Sequence, residues 1–319
     1  MHACWFYVVI AVGWCIAAYP QRRLVTSFEF LTDGLMPDGF AGIAQDTLGR
    51  MWIDAFASEA ALPPVRAVEA YLRRSRSGAI VEIAAGSGVA SALWAERLPS
   101  RPTVLLTDLQ PNPEAWEALS RAASAKGRRL SYVNRSVSAF DVEASLEPRD
   151  ADALRTVHFA LHHFPPDSVR RIFESVVNSS AALLIGDLAP TGGGVLWNGV
   201  LGWKHALSAG RAEAWVALRA LPWWGPLLLP ALPLMGWWDA TTSVLRAYSV
   251  AELTHILASV PGGERYRVAA FDSESYGVWI LGRSEGHRLL RTVRAGLTKA
   301  LGLDHTVCQW VMITPPLRK

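Results

Sequence analysis

Residues 79–91 read AIVEIAAGSGVAS, and this stretch decides the fold. Ile80, Val81 and Ile83 make the apolar run of a strand buried on both faces, and Glu82 interrupts it with a charge. Small residues follow at once (Ala84, Ala85, Gly86, Ser87, Gly88), then a helical pattern from Val89 to Leu98. Strand, small-residue turn and helix bring backbone N–H groups up to a bound nucleotide. Two versions of such a turn fit. One is a dinucleotide fingerprint, Gly86-x-Gly88-x-x-Ser91, with Ser91 in the third glycine's place. The other places small residues at every second position after an acid: Glu82, Ala84, Gly86, Gly88. Glu82 favours the second, because a dinucleotide phosphate gains nothing from a carboxylate at the strand end.

Downstream the pattern alternates. Thr103 to Thr107 reads as a strand ending at Asp108, Pro113 to Lys126 as a helix, and Leu130 to Ser136 as a third strand. Arg155 to Leu161 reads as a fourth strand, followed by Pro165-Pro166-Asp167 and a helix to about Val177. Ala181 to Gly186 is a fifth strand, ending at Asp187. Strands separated by helices predict a parallel sheet with helices on both faces. A helix from Ser249 to Leu257 and the runs Tyr266–Phe271 and Tyr276–Leu281 complete the pattern, the last two as an antiparallel pair.

Asp108 lies twenty residues beyond Gly88, where a carboxylate can accept both hydroxyls of a ribose. Its plainer reading is a turn residue before Pro111. His162 and His163 follow the fourth strand. A histidine with an unperturbed pKa of ~6.5 can take a proton near neutral pH. The plainer reading is that one or both hydrogen-bond the neighbouring loop. His163 is preferred as the base, because Phe164 and the prolines turn the chain just after it. Adjacent histidines on an extended segment point to opposite sides, and no third ligand is evident, so a metal site is not expected. Asp187 lies at the carboxyl edge of the sheet, where ligands bind. Asp239, Arg246 and Tyr248 are candidates to close the pocket, although Asp239 and Arg246 also suit a structural ion pair.

Four segments occur in order: residues 80–91, Leu106-Thr-Asp108-Leu-Gln-Pro-Asn112, Phe159-Ala-Leu-His162-His163-Phe-Pro-Pro, and Trp238-Asp239 with Ser243-Val-Leu-Arg246-Ala-Tyr248-Ser249. Together they resemble class I S-adenosylmethionine (SAM)-dependent methyltransferases, over roughly Ala79 to Gly282. The resemblance implies an α/β fold, a Rossmann-like seven-stranded sheet whose last strand is antiparallel. It implies that Glu82, Ala84, Gly86 and Gly88 line the methionine end of SAM and that Asp108 binds its ribose. Two positions depart from the pattern. Ala84 stands where the first glycine is usual, and Ser138 stands where the group has an Asp near the adenine.

The flanks are apolar or basic. Ala3 to Tyr19 carry no charge and are followed by Arg22 and Arg23. As a helix this run spans ~25 Å, and it reads as an anchor with the domain on the cytoplasmic side, ahead of a cleaved signal peptide or a buried helix. Residues 24–78 read as a helical extension, in which Val65, Val68 and Leu72 share a face. The methyltransferase domain is drawn over 79–283, interrupted at 195–240 by a Trp-, Leu- and Pro-rich insertion. Half of the chain's 14 Trp lie between Trp197 and Trp238. Pro222, Pro226, Pro230 and Pro233 rule out a regular spanning helix there, at ~3 kcal/mol each. Trp at both borders suggests a lid at headgroup level, with a further buried layer as the alternative. Residues 284–319 read as a basic amphipathic tail.

A net charge of +3 with no basic block excludes nucleic acid as partner, and Cys4, Cys15 and Cys308 form neither a disulfide framework nor a metal spacing. The expectation is a SAM-dependent methyltransferase acting on a small hydrophobic or lipid-like acceptor at a membrane surface. A NAD-type oxidoreductase on a Rossmann-like fold and a non-catalytic membrane-associated protein are the alternatives.

Overall fold

The computed structural model describes residues 62–190, 238–239, 242–272 and 308–316. Their centre is a seven-stranded sheet: β1 (Ala79–Glu82), β2 (Thr103–Leu106), β3 (Arg129–Tyr132), β4 (Leu154–His158), β5 (Leu183–Leu188), β6 (Arg267–Asp272) and β7 (Cys308–Thr314). The order is β3-β2-β1-β4-β5-β7-β6. Strands β1 to β5 are parallel, while β7 runs antiparallel to both β5 and β6. β1, β4 and β5 are buried along their whole length, as strands covered on both faces must be.

Helices α1 (Leu62–Leu72), α2 (Val89–Arg97) and α3 (Pro113–Ala125) cover one face, burying Val68, Trp94 and Trp116 against Ile80, Leu184 and Trp310. The face predicted from Val65, Val68 and Leu72 is the one α1 buries. Helices α4 (Pro166–Asn178) and α5 (Val250–Ala258) cover the other face, packing Val169, Phe173 and Leu253 on Val81, Val157 and Ile185. Local chemistry starts these helices where the sequence suggests. Asn112 caps α3 by accepting from the Ala115 N–H at 3.2 Å, with Pro113 just inside. Ser249 and Glu252 form a reciprocal capping box on α5.

Three expectations are corrected. The third strand ends at Tyr132, and Ser136 instead donates its hydroxyl to the Leu109 carbonyl at 2.8 Å. The fourth ends at His158, because Phe159 adopts a φ of 47° and residues 161–163 form a short 3-10 turn. Among the described residues the antiparallel partner of β6 is Cys308–Thr314, within the stretch that the sequence reading assigned to a basic tail. The sheet therefore extends past position 283, where the sequence reading closed the domain. The run 276–281 lies outside the described residues, as do 3–19, most of 195–240 and the amphipathic stretch 287–303. Among the described residues no helix is long and apolar enough to cross a membrane.

Candidate active site

The turn after β1 is held from several sides. Ile83 N–H donates to the Thr156 carbonyl at 2.8 Å and Ala85 N–H to the Thr107 carbonyl at 3.0 Å. Ala84, Gly86 and Gly88 have φ of 54°, 52° and 75°, so the turn uses the left-handed region at alternate residues. At Gly88 a Cβ would lie 2.7 Å from Leu106 Cδ1, so this position is glycine for space as well as conformation. Ala84 adopts the left-handed conformation with a Cβ, at a cost of roughly 1–2 kcal/mol. The departure at Ala84 is thus a source of backbone strain.

Asp108 sits half-exposed just past the end of β2. Its Oδ2 accepts from the Gly86 N–H and its Oδ1 from the Gln110 N–H, both at 2.8 Å. The indole N–H of Trp116 donates to the Gly86 carbonyl at 2.9 Å, fixing the turn's crest. Each carboxylate oxygen keeps a second lone pair for a hydroxyl donor. Beside it Leu109 is 63% exposed, an apolar side chain open to solvent next to the carboxylate. Ser138 accepts from the Phe140 N–H at 3.2 Å and so stabilises its own turn. A carboxylate, an exposed apolar side chain and a narrow glycine turn fit the adenosine end of SAM.

Glu82 does not face Asp108 across the turn. It is 2% exposed and turned into the layer between the sheet and α2. Its Oε2 accepts from the Ser91 hydroxyl at 2.5 Å and from the Thr156 hydroxyl, and its Oε1 accepts from His158 Nδ1–H at 2.7 Å. The His158 tautomer follows from its other nitrogen: the Trp94 indole can only donate, and it does so to His158 Nε2 at 2.8 Å. The expected contact of Glu82 with the methionine end is therefore replaced by an internal role.

His162 and Asp187 come together at the carboxyl edge of β4 and β5. Asp187 is 3% exposed; its Oδ2 accepts from the His162 N–H at 3.0 Å and its Oδ1 from His162 Nδ1–H at 2.7 Å. Oδ1 also takes the Leu188 N–H at 2.8 Å. Asp187, expected at the acceptor, thus orients the imidazole. The His163 ring lies 4.1 Å from that of His162, half-buried, and the carboxylate engages His162 rather than the preferred His163. Tyr248 is buried and donates its hydroxyl to the Phe164 carbonyl at 2.7 Å, bracing the turn that carries His162 and His163. Asp239 and Arg246 are half-buried beside helical residues 242–246, and the Asp239 carbonyl accepts from the Ser243 hydroxyl at 2.8 Å.

Sequence reasoning missed Thr156, His158, Trp94 and Leu109. The first three act through pairings between distant elements, which no local pattern records. Leu109, an apolar residue directly after the ribose-type acid, carried a readable signal. Among the described residues no group of His, Cys, Asp and Glu could hold a metal ion.

No protein-family model matches the chain, and no curated protein does. Among solved structures it is similar to an O-methyltransferase family protein from Burkholderia thailandensis, with 13% identity over 81% of this chain and 57% of that one and a TM-score of 0.40. It is similar to an O-methyltransferase from neocarzinostatin biosynthesis in complex with SAM and 2-hydroxy-5-methyl naphthoic acid (14% identity, 76% and 50% covered, TM-score 0.37). It is also similar to a cyclopropane-fatty-acyl-phospholipid synthase-like protein from Lactobacillus casei (14% identity, 78% and 91% covered, TM-score 0.41). The match spans just over half of the first of these chains and half of the second. The strand order, with its antiparallel β7 between β5 and β6, is itself the class I methyltransferase fold that the motifs imply.

Proposed function

We propose that the chain binds SAM and moves its methyl group to the hydroxyl of a small apolar acceptor. One observation carries this reading. Chain order switches direction between β1 and β4, and the carboxyl ends flanking that switch carry Asp108 on one side and the Asp187–His162 pair on the other. Open α/β sheets bind their ligands at that crevice.

In this reading Asp108 accepts the ribose hydroxyls, Leu109 covers the adenine, and the turn at residues 84–88 holds the chain leading to the sulfonium. Bound SAM would supply an electrophilic methyl group on its sulfonium, to be taken by an acceptor oxygen with the thioether as leaving group. The protein's part is to hold the acceptor in line and to take its proton. Asp187 holds Nδ1–H of His162, which makes Nε2 the nitrogen that would take the proton. The apolar acceptor and a position beside a membrane are read from the composition of 195–240 and 3–19. Binding to anionic liposomes, compared with and without residues 1–23, tests that part.

The dinucleotide alternative loses one argument and meets another. Glu82, turned inward, no longer separates the two cofactors. The antiparallel β7 does, because the dinucleotide fold is built on parallel strands. Calorimetric titration with SAM and with NAD tests the reading. SAM binds and NAD does not, and Asp108→Ala weakens SAM by at least about tenfold through loss of a charged acceptor. An unchanged dissociation constant in a folded variant removes the ribose assignment.

A further inference from the structure

β1 and β4 lie side by side, and each opens at its carboxyl end into one half of the proposed site: the cofactor turn after β1, the base-bearing turn after β4. Their terminal residues, Glu82 and His158, are joined by a 2.7 Å hydrogen bond. The same Glu82 carboxylate reaches Ser91 on α2, the helix that leaves the cofactor turn. Glu82 before the turn and Ser91 after it therefore form a clasp across its base, and His158 and Thr156 tie that clasp to β4.

The imidazole is fixed for this task. Trp94 sets its tautomer. Trp310 on β7 meets it edge-on at 5.7 Å, lying across β5 at Gly186, where a Cβ would come within 2.5 Å of the indole. His158, Gly186 and Trp310 are in register on three successive strands.

We propose that His158 is a positioning residue: by holding the Glu82–Ser91 clasp it fixes the cofactor turn at the level of the His162 turn. The proposal rests on the SAM reading above. It is tested with S-adenosylhomocysteine as probe and with two variants of the full chain. His158→Asn keeps an N–H near the place of Nδ1 but gives up the bond from Trp94, whereas His158→Leu gives up both. Calorimetry is expected to show His158→Leu weakened about tenfold or more and His158→Asn within about threefold of the parent, although both melt at lower temperature. Parental affinity in His158→Leu, or equal weakening in the two variants, overturns the proposal while leaving the cofactor reading intact. Failure of the parent chain to bind the probe overturns the cofactor reading and this proposal with it.

A second measurement needs no substitution. In the parent chain labelled with 15N-histidine, adding the probe shifts the Nδ1–H signal of His158, a ring buried in the core and away from the cleft. A signal indifferent to bound probe overturns the proposal.

Discussion

Two histidines of one short segment meet two buried carboxylates, each through Nδ1 at 2.7 Å, on opposite faces of one sheet. His158 is the last residue of β4, and its pair with Glu82 lies under α2. His162 lies past the strand end, in a turn, and its pair with Asp187 stands at the edge of β5. The first pair is closed: an indole N–H takes the second nitrogen and two hydroxyls share the carboxylate. In the second pair the imidazole lies against another imidazole. The chemistry of the two side chains is the same. Their place relative to the strand end differs: one pair closes inside the core, and the other lies at the carboxyl edge, where the proposed reaction would need it.

The strongest way to break this contrast is at His162. His162→Ala is expected to lower methyl transfer by ~10²–10⁴-fold with binding of S-adenosylhomocysteine nearly intact. The assay follows labelled methyl from SAM into a panel of apolar phenols and alcohols. His163→Ala loses much less, and equal losses in the two variants dissolve the distinction between them.

The closed pair answers to stability. Glu82→Ala leaves the Ser91, Thr156 and His158 donors inside the core without their acceptor, and is expected to cost about 3–5 kcal/mol in urea denaturation. A loss below about 1 kcal/mol means the pair is not structural.

A pH series separates both pairs from a third buried group. The Tyr71 hydroxyl donates to the Asp152 carbonyl at 2.8 Å, and burial, aided by the Asp152 charge, pushes its pKa from 10.0 up to about 12. The folded chain then keeps a proton that the unfolded chain gives up. The contribution is complete below pH ~10 and fades as pH rises toward ~12, by about 2–3 kcal/mol in all. Tyr71→Phe flattens that part of the stability profile, and a decline as steep as the parent's assigns it to other groups. The smallest effect is at the turn itself. Ala84→Gly relieves the left-handed strain and is expected to raise stability by about 0.5–1 kcal/mol, net of the glycine's greater freedom in the unfolded chain. A loss of stability there means the Ala84 methyl is packed more usefully than its backbone is strained.

Much of this was legible in the chain. The apolar runs of β1, β2, β4 and β5, the proline-marked starts of α3 and α4 and the box at Ser249 are local signals, and local signals placed them to within a few residues. The acid at Asp108 was readable for the same reason. Strand ends were overshot where a single residue, Phe159, turns back through a positive φ that no pattern announces. The run of Trp310, Val311, Met312 and Ile313 between Cys308 and Pro315 has strand composition, but it follows a basic, helix-patterned stretch whose reading extends over it. Glu82 was misplaced for a different reason. A carboxylate after a strand looks available until its partners are known, and these stand on α2 and β4, far along the chain. The choice between His162 and His163 likewise depended on Asp187, which only the closed sheet brings near.

The place of β7 between β5 and β6 also bears on how the sheet is made. Among the described strands β7 is the last in the chain, yet it is an inner strand. In chain order β6 precedes the neighbour it pairs with, and until residues 308–314 are in place β5 lacks the partner that it has in the folded sheet. During that interval the nascent chain offers another polypeptide the kind of strand border from which misassembly starts. The indole of Trp310, lying over Gly186, ties the closing of that gap to the completion of the wall around His158.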